Sequence, residues 1–113
     1  MPAQRWATPA FAAAVAISVV VLFAPHTPSE QGVPHVDKVV HALTFGLLAA
    51  TTRWRFGPRA VLLVLVIAYG ALSEVVQWLA LPARDGDVRD FLADAVGALL
   101  GWLLARRLTP APR

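Results

Sequence analysis

Four stretches of this chain are each apolar for close to twenty residues, over about 7–24, 37–54, 59–81 and 90–107. A helix rises about 1.5 Å per residue, so roughly 20 residues cross the hydrocarbon of a bilayer. The apolar residues are gathered into these blocks rather than alternating with polar ones. A water-soluble domain of 113 residues would need more than 15% charged residues to coat its surface. With 58% apolar residues and a mean hydropathy of +0.61, the expected fold is all-α. It is a four-helix transmembrane bundle forming a single domain over residues 1–113.

The first block, "ATPAFAAAVAISVVVLFA", follows Arg5 and invites a signal-peptide reading. No small-x-small cleavage pattern follows it, and Pro25 would sit directly after the best site, so an uncleaved helix is expected. Pro9 falls in its first turn, where a missing N–H does no harm. "RWRFGPR" separates the second and third blocks, with Gly57 and Pro58 breaking the helix.

The basic residues fix an orientation. Arg5, Arg53, Arg55, Arg59, Arg106, Arg107 and Arg113 fall on one side, seven in all; Lys38, Arg84 and Arg89 make three on the other. The positive-inside rule then puts both termini in the cytoplasm, a multi-pass N-in/C-in topology. "PHTPSEQGVPHV" and "PARDGDVRD" face outward. A net charge of +3 and a pI near 10.6 do not indicate nucleic acid, because most of the charge lies at the ends of apolar blocks.

Against that background "VPHVDKVVHALTFGLLAA" is anomalous, because it brings Asp37, Lys38 and His41 to the mouth of an apolar run. His41 lies about one turn inside the outer end of the second helix. Glu74 and Gln77 lie near the outer end of the third; Asp90 opens the fourth and Asp94 follows one turn in. Apart from the arginines at the inner ends, the ionisable residues of the blocks therefore share one leaflet. They also share faces. Asp37, His41, Thr44 and Leu48 form one stripe, Gly70, Ser73, Glu74 and Gln77 a second, and Asp87, Asp90, Asp94, Gly97 and Gly101 a third. Gly97-xxx-Gly101 is a small-xxx-small pattern that lets a neighbouring helix approach closely.

An ionised residue at mid-bilayer costs about 2.5–3.5 kcal/mol on insertion scales. Glu74 and Asp94, the most deeply placed, are expected to pair with Lys38, Arg84, Arg89 or His41. The expectation is an outward polar pocket roofed by "RDGD", formed by helices two to four with helix one peripheral. A plainer reading is polar glue, in which these groups only fix helix packing. "RDGDVRD" alone is also a helix cap with Gly86 turning, and for Asp87 capping is the favoured role.

No metal and no cofactor are expected. The acidic run is too short for an EF-hand and lacks its closing Glu. A His with several carboxylates could hold zinc or another transition metal, yet there is no H-E-x-x-H, and only His41 lies in the pocket; His26 and His35 read as loop histidines. The chain has no cysteine, hence neither a disulfide nor a thiolate site. Trp6, Trp54, Trp78 and Trp102 sit near block ends and read as interfacial anchors.

"PHVDKVVHALTFGLLA", "SEVVQ" and "RDGDVRDFLADAVGALLG", in this order and spacing, resemble the VanZ-like membrane proteins. Their pattern is D-K-x-x-H, then S-E-x-x-Q, then R-x-x-x-x-x-D-x-x-x-N-x-x-G-x-x-x-G. It maps onto Asp37, Lys38 and His41; Ser73, Glu74 and Gln77; and Arg84, Asp90, Gly97 and Gly101. The match covers about residues 34 to 101, and helix one matches only in kind. The chain departs at Asp94, where those proteins usually have asparagine; a carboxylate imitates the neutral amide only by holding a proton. The namesake is linked to low-level resistance to the glycopeptide teicoplanin without an established mechanism, and the resemblance implies a bacterial plasma-membrane protein with a cell-envelope role and an outward polar site.

The leading expectation is a site that binds a membrane lipid or lipid-linked amphiphile, such as a lipid-linked envelope precursor or a lipoglycopeptide. Asp37, Lys38, His41, Glu74, Gln77, Arg84, Asp90 and Asp94 would hold its polar head. The surplus of carboxylates suits a mixed or cationic head better than a simple anion. Two alternatives stay open. One is an enzyme on a lipid-linked substrate, with Glu74 as general base and His41 as its partner, although the only evident nucleophile is Ser73. The other is an assembly partner whose pocket receives another protein's segment. A homo-oligomer through the glycine face is possible only if helix four does not already use that face internally.

Overall fold

The computed structural model describes residues 2–23, 36–80 and 88–107, without the side chains at 2, 3, 36 and 37. Every regular element in this range is helical. A 3-10 turn, Pro2–Trp6, leads into α1 (Ala7–Phe23); α2 is Val36–Phe56, α3 Ala60–Ala80 and α4 Val88–Leu104, which ends in a 3-10 turn, Ala105–Arg107.

The helix expected over 37–54 runs two residues further, through the arginines to Phe56. It stops at Gly57, whose φ of 93° belongs to the left-handed region that a side chain disfavours. The Gly57 N–H still bonds the Arg53 carbonyl at 2.8 Å, the usual closure of a helix by a C-terminal glycine. Pro58 has no N–H to place, and α3 starts two residues later, at Ala60.

Contacts at the two ends fix the direction of each helix. Gln4 donates to the Trp54 carbonyl (2.9 Å) and Arg55 to Thr8 Oγ1 (2.6 Å), so α1 begins where α2 ends. Arg53 donates to the Trp102 carbonyl (3.2 Å), placing the C-terminal ends of α2 and α4 together. Gln77 donates to the Leu22 carbonyl (2.9 Å), joining the last turns of α1 and α3. The bundle therefore runs up, down, up, down, and residues 4 and 102 lie at the same end.

α2 is the hub. Its most extensive contact is with α4, followed by its contact with α1. The α2–α4 pair is held by small residues: a methyl group at Gly97 would be driven into the backbone of Ala42, and one at Gly101 into the backbone of Gly46. The glycine stripe read on α4 thus meets a second small-xxx-small stripe on α2, Ala42-xxx-Gly46, which lets the two backbones touch. That occupies the glycine face within one chain, so a homo-oligomer would have to use another surface.

The outward faces are apolar on all four helices. Val19 and Val20 of α1, Leu43 of α2, Val64 and Leu72 of α3, and Leu99, Leu100 and Leu103 of α4 are exposed. The buried set is unusually polar, with Ser18, His41, Thr44, Thr51, Thr52, Ser73, Glu74, Gln77, Asp90 and Asp94 inside. A continuous apolar exterior around a polar interior suits lipid as the surrounding medium. Two helical stretches, Gln4–Phe23 and Ala60–Ala80, are long and apolar enough to cross a membrane, with mean hydropathies of 2.1 and 2.0. α2 and α4 are less apolar because they carry more charged residues: Asp37, Lys38, Arg53 and Arg55 on α2, and Arg89, Asp90 and Asp94 on α4.

Two expectations need correction. Helix one is not peripheral: Ala7, Ala14, Ser18 and Leu22 are buried. Ser18 donates its single hydroxyl proton to Val15 O (2.7 Å), so the Tyr69 hydroxyl, 3.0 Å away, is the donor to Ser18 Oγ. Trp102 is not an interfacial anchor: it is 7% exposed, packed into the core, with the Arg53 guanidinium 5.1 Å from its ring centroid. Trp6 and Trp78 are exposed, at 57% and 72%.

Candidate functional site

At the end opposite Gln4 and Trp102, α2, α3 and α4 direct polar side chains toward one another. Helical spacing does this on each element: Lys38 and His41 are one turn apart on α2, Glu74 and Gln77 on α3, Asp90 and Asp94 on α4. All but Lys38 are buried, and Lys38 is half-buried.

The pairing has a definite register. Lys38 Nζ donates to Asp90 Oδ1 at 2.5 Å. One turn deeper, His41 Nδ1 lies 2.7 Å from Asp94 Oδ1, with both side chains almost wholly enclosed. The second nitrogen, His41 Nε2, faces Asp90 Oδ2 at 3.9 Å, too far for a hydrogen bond. α2 and α4 thus run parallel here, with two base–acid pairs stacked along their seam. Glu74 approaches from α3 and acts electrostatically on His41 together with Asp90 and Asp94.

Asp94 is the most enclosed member, at 0% exposure. Its Oδ2 has no hydrogen-bond partner among the described residues. Gly70 of α3 makes the room: a Cβ there would stand 3.3 Å from both Asp94 Cβ and Oδ2, and 3.3 Å from the Phe45 ring. Gly70, absent from the sequence-based site, is therefore what lets α3 close over the carboxylate.

Ser73 and Gln77 are buried on the same face of α3, but their protons are engaged elsewhere. Ser73 Oγ donates to the Gly70 carbonyl at 2.7 Å within its own helix. Gln77 clasps α1 through the Leu22 carbonyl. Arg84, Asp87 and the "RDGD" roof lie outside the described residues, as does the Asp37 side chain.

Sequence reading set a metal aside because only one histidine enters the pocket. The folded chain nevertheless brings one ligand-capable atom from each of His41, Glu74 and Asp90 within 4.8 Å of the others. The carboxylates that accompany the histidine come from two other helices.

A second feature lies deeper and is apolar. A groove of about 390 Å³ opens between α1, α2 and α3, lined by Phe11, Val15, Leu48, Phe56, Leu65 and Tyr69 among others. Leu48 is seven residues from His41, hence about 10 Å further along the helix.

A family model described as VanZ/LLP1 matches residues 4–109, nearly the whole chain. The chain belongs to the VanZ/LLP1 family. Neither the curated proteins nor the solved structures contain a match to it. Membership and the two long apolar helices together mark a membrane-associated, all-helical protein. Within the family's pattern, Lys38, His41, Glu74 and Asp90 converge in space, whereas Gly97 and Gly101 serve the helix contact that brings them there. Asp94, at the position where such proteins usually have asparagine, is paired with His41.

Proposed function

We propose that this VanZ/LLP1-family chain is a multi-pass protein of the bacterial plasma membrane, with both termini in the cytoplasm. Its outward polar cluster binds the head of an amphiphile, either a lipid-linked envelope precursor or a lipoglycopeptide of the teicoplanin kind. The observation that carries this reading is the burial of His41, Glu74, Asp90 and Asp94 together, with Lys38 half-buried beside them, near one end of a bundle with an apolar exterior. Ionisable side chains so placed are costly and are functional by default. The groove beginning about 10 Å deeper, lined almost wholly by apolar side chains of α1, α2 and α3, suits an acyl or prenyl chain. Glycopeptide tolerance, where family members confer it, would follow from capture of the drug or of its target.

The test is equilibrium binding to protein in nanodiscs, with labelled teicoplanin and a labelled polyprenyl phosphate as probes. Saturable binding of one probe is expected, weakened at least tenfold by Lys38→Met or Glu74→Gln and unchanged by Leu99→Ala on the lipid face. Non-saturable uptake, equal in all variants, contradicts the reading.

The His41–Asp94 contact favours one second reading. A buried carboxylate that orients an imidazole is the arrangement of a general base, and it would activate water rather than Ser73, whose proton is held by Gly70. Altered probe recovered after incubation, and lost in His41→Ala, would select the enzyme over the binder. The assembly-partner reading requires instead a polypeptide that co-purifies with wild type and is lost from Glu74→Gln.

A further inference from the structure

We infer that His41, Glu74 and Asp90 form a three-ligand site for a first-row divalent cation such as Zn2+ or Mn2+, with Asp94 as the group that orients His41. The inference rests on the reading of this cluster as a headgroup site and names what the headgroup would meet there.

Three observations carry it. The first is geometry. With Asp94 ionised and the imidazole neutral, the carboxylate only accepts, so Nδ1 carries the proton and Nε2 keeps its lone pair. That nitrogen faces Asp90 Oδ2 at 3.9 Å, and one atom from each of the three residues lies within 4.8 Å of the rest. An ion with bonds of about 2.1 Å holds its ligand atoms roughly 3–4 Å apart, so small side-chain rotations complete the site.

The second is the support behind the histidine. A metal-binding imidazole almost always donates its other N–H to a carboxylate or carbonyl, which fixes the ring and raises its basicity. His41 Nδ1 on Asp94 Oδ1 at 2.7 Å, with Asp94 wholly enclosed and set against Gly70, supplies that support. A histidine present only to bond across helices needs no second and third carboxylate beyond its ring.

The third is charge. Glu74, Asp90 and Asp94 bring three negative charges near His41, and Lys38 returns one through Asp90 Oδ1. A dication offsets this carboxylate charge without displacing Lys38, because the lysine holds one oxygen of Asp90 and the other faces His41. It also removes the objection to an anionic ligand. Three carboxylates repel a phosphate or carboxylate head, whereas an ion with three protein ligands keeps open positions for one. A mixed nitrogen–oxygen donor set suits Zn2+ or Mn2+ rather than Ca2+, which takes oxygen ligands.

The experiment is calorimetric titration of chelator-stripped, detergent-purified protein with ZnCl2 and MnCl2, with thermal unfolding followed by circular dichroism. His26→Gln and His35→Gln in the background remove the other two histidines. One ion per chain and a rise in unfolding temperature are expected for Zn2+ or Mn2+, with neither for CaCl2 at the same concentration. His41→Ala, Glu74→Gln and Asp90→Asn should each lose the ion and the rise, while Asp94→Asn should bind about 10–100-fold more weakly. Binding below half an ion per chain, or binding equal in wild type and in the three variants that circular dichroism shows to be folded, overturns the inference. Loss of the ion in Asp94→Asn only, with the ligand variants unaffected, overturns it too. Probe binding that persists in chelated protein would leave the headgroup reading standing while the metal site falls. An ion bound stoichiometrically by protein that takes up neither probe would leave the ion and remove that reading.

Discussion

His41 and Asp94, fifty-three residues apart, meet at 2.7 Å inside the bundle, and neither side chain is appreciably exposed. The contact ties α2 to α4 at the depth where α3 brings Glu74. It joins a family motif residue to the one motif position where this chain departs from the usual asparagine. Asp94→Asn therefore has a definite expected outcome. The amide oxygen accepts from the same Nδ1–H, so the fold should keep its stability to within about 1 kcal/mol. Asp94→Ala removes the acceptor and leaves the imidazole enclosed, which should cost about 1–3 kcal/mol. Thermal unfolding in detergent separates the two; equal losses would mean that the pair does not act as described.

The glycine contacts differ enough to be ranked. A methyl group at Gly101 meets the backbone of Gly46, whereas one at Gly46 stands 3.2 Å from the Gly97 carbonyl oxygen, tight but adjustable. Gly101→Ala should therefore force α2 and α4 apart, costing at least about 2 kcal/mol by overpacking, and Gly46→Ala clearly less. The Lys38–Asp90 distance, read by cross-linking of cysteines at those positions, should lengthen in the first variant only.

Docking of α1 against α3 includes two polar contacts, one turn apart on α1. Tyr69→Phe removes the donor to Ser18 Oγ and should cost about 0.5–1.5 kcal/mol. Gln77→Leu leaves the buried Leu22 carbonyl without its side-chain donor and should cost about 1–3 kcal/mol. Tyr69 and Gln77 lie eight residues, about 12 Å, apart on α3 and have different partners, so the losses in a double variant should add to within about 0.5 kcal/mol. A clear departure from additivity in chemical denaturation would show that the two contacts are coupled.

Orientation is testable directly because the chain has no cysteine of its own. His35→Cys and Gly86→Cys should react with an impermeant maleimide added to intact cells, and Trp6→Cys and Arg106→Cys only after lysis. The reverse pattern would invert the proposed topology and place the polar cluster at the cytoplasmic face.

Much of this arrangement is legible in the sequence, because helices convert spacing into faces. His41 with Thr44 and Leu48, Gly70 with Ser73, Glu74 and Gln77, and Asp90 with Asp94, Gly97 and Gly101 are all buried as their periodicities require. Depth follows from counting residues at a fixed rise. What spacing does not carry is the partner across a gap. That Asp94 takes His41 while Asp90 takes Lys38 depends on the parallel register of α2 and α4, set by Gly97 and Gly101 on Ala42 and Gly46. Ala42-xxx-Gly46 passes unnoticed beside the louder polar pattern on the same helix. The Leu22 carbonyl that receives Gln77 is backbone and has no sequence signature. Trp102 looks interfacial by position alone, yet Arg53 covers its ring and caps its carbonyl. The separation of the ligand-capable atoms of His41, Glu74 and Asp90, within 4.8 Å of one another, is likewise visible only once three helices are packed.

Whether the polar cluster holds a ligand or only holds helices is decided most directly by native mass spectrometry of the detergent-purified protein. Wild type should be compared with His41→Ala and Glu74→Gln, each shown by circular dichroism to be folded. The account predicts a lipid or lipid-phosphate mass retained by wild type, identifiable by fragmentation, and lost from both variants. Bare protein in all three samples, with both variants unfolding more readily than wild type, would contradict it and leave His41 and Glu74 as packing residues.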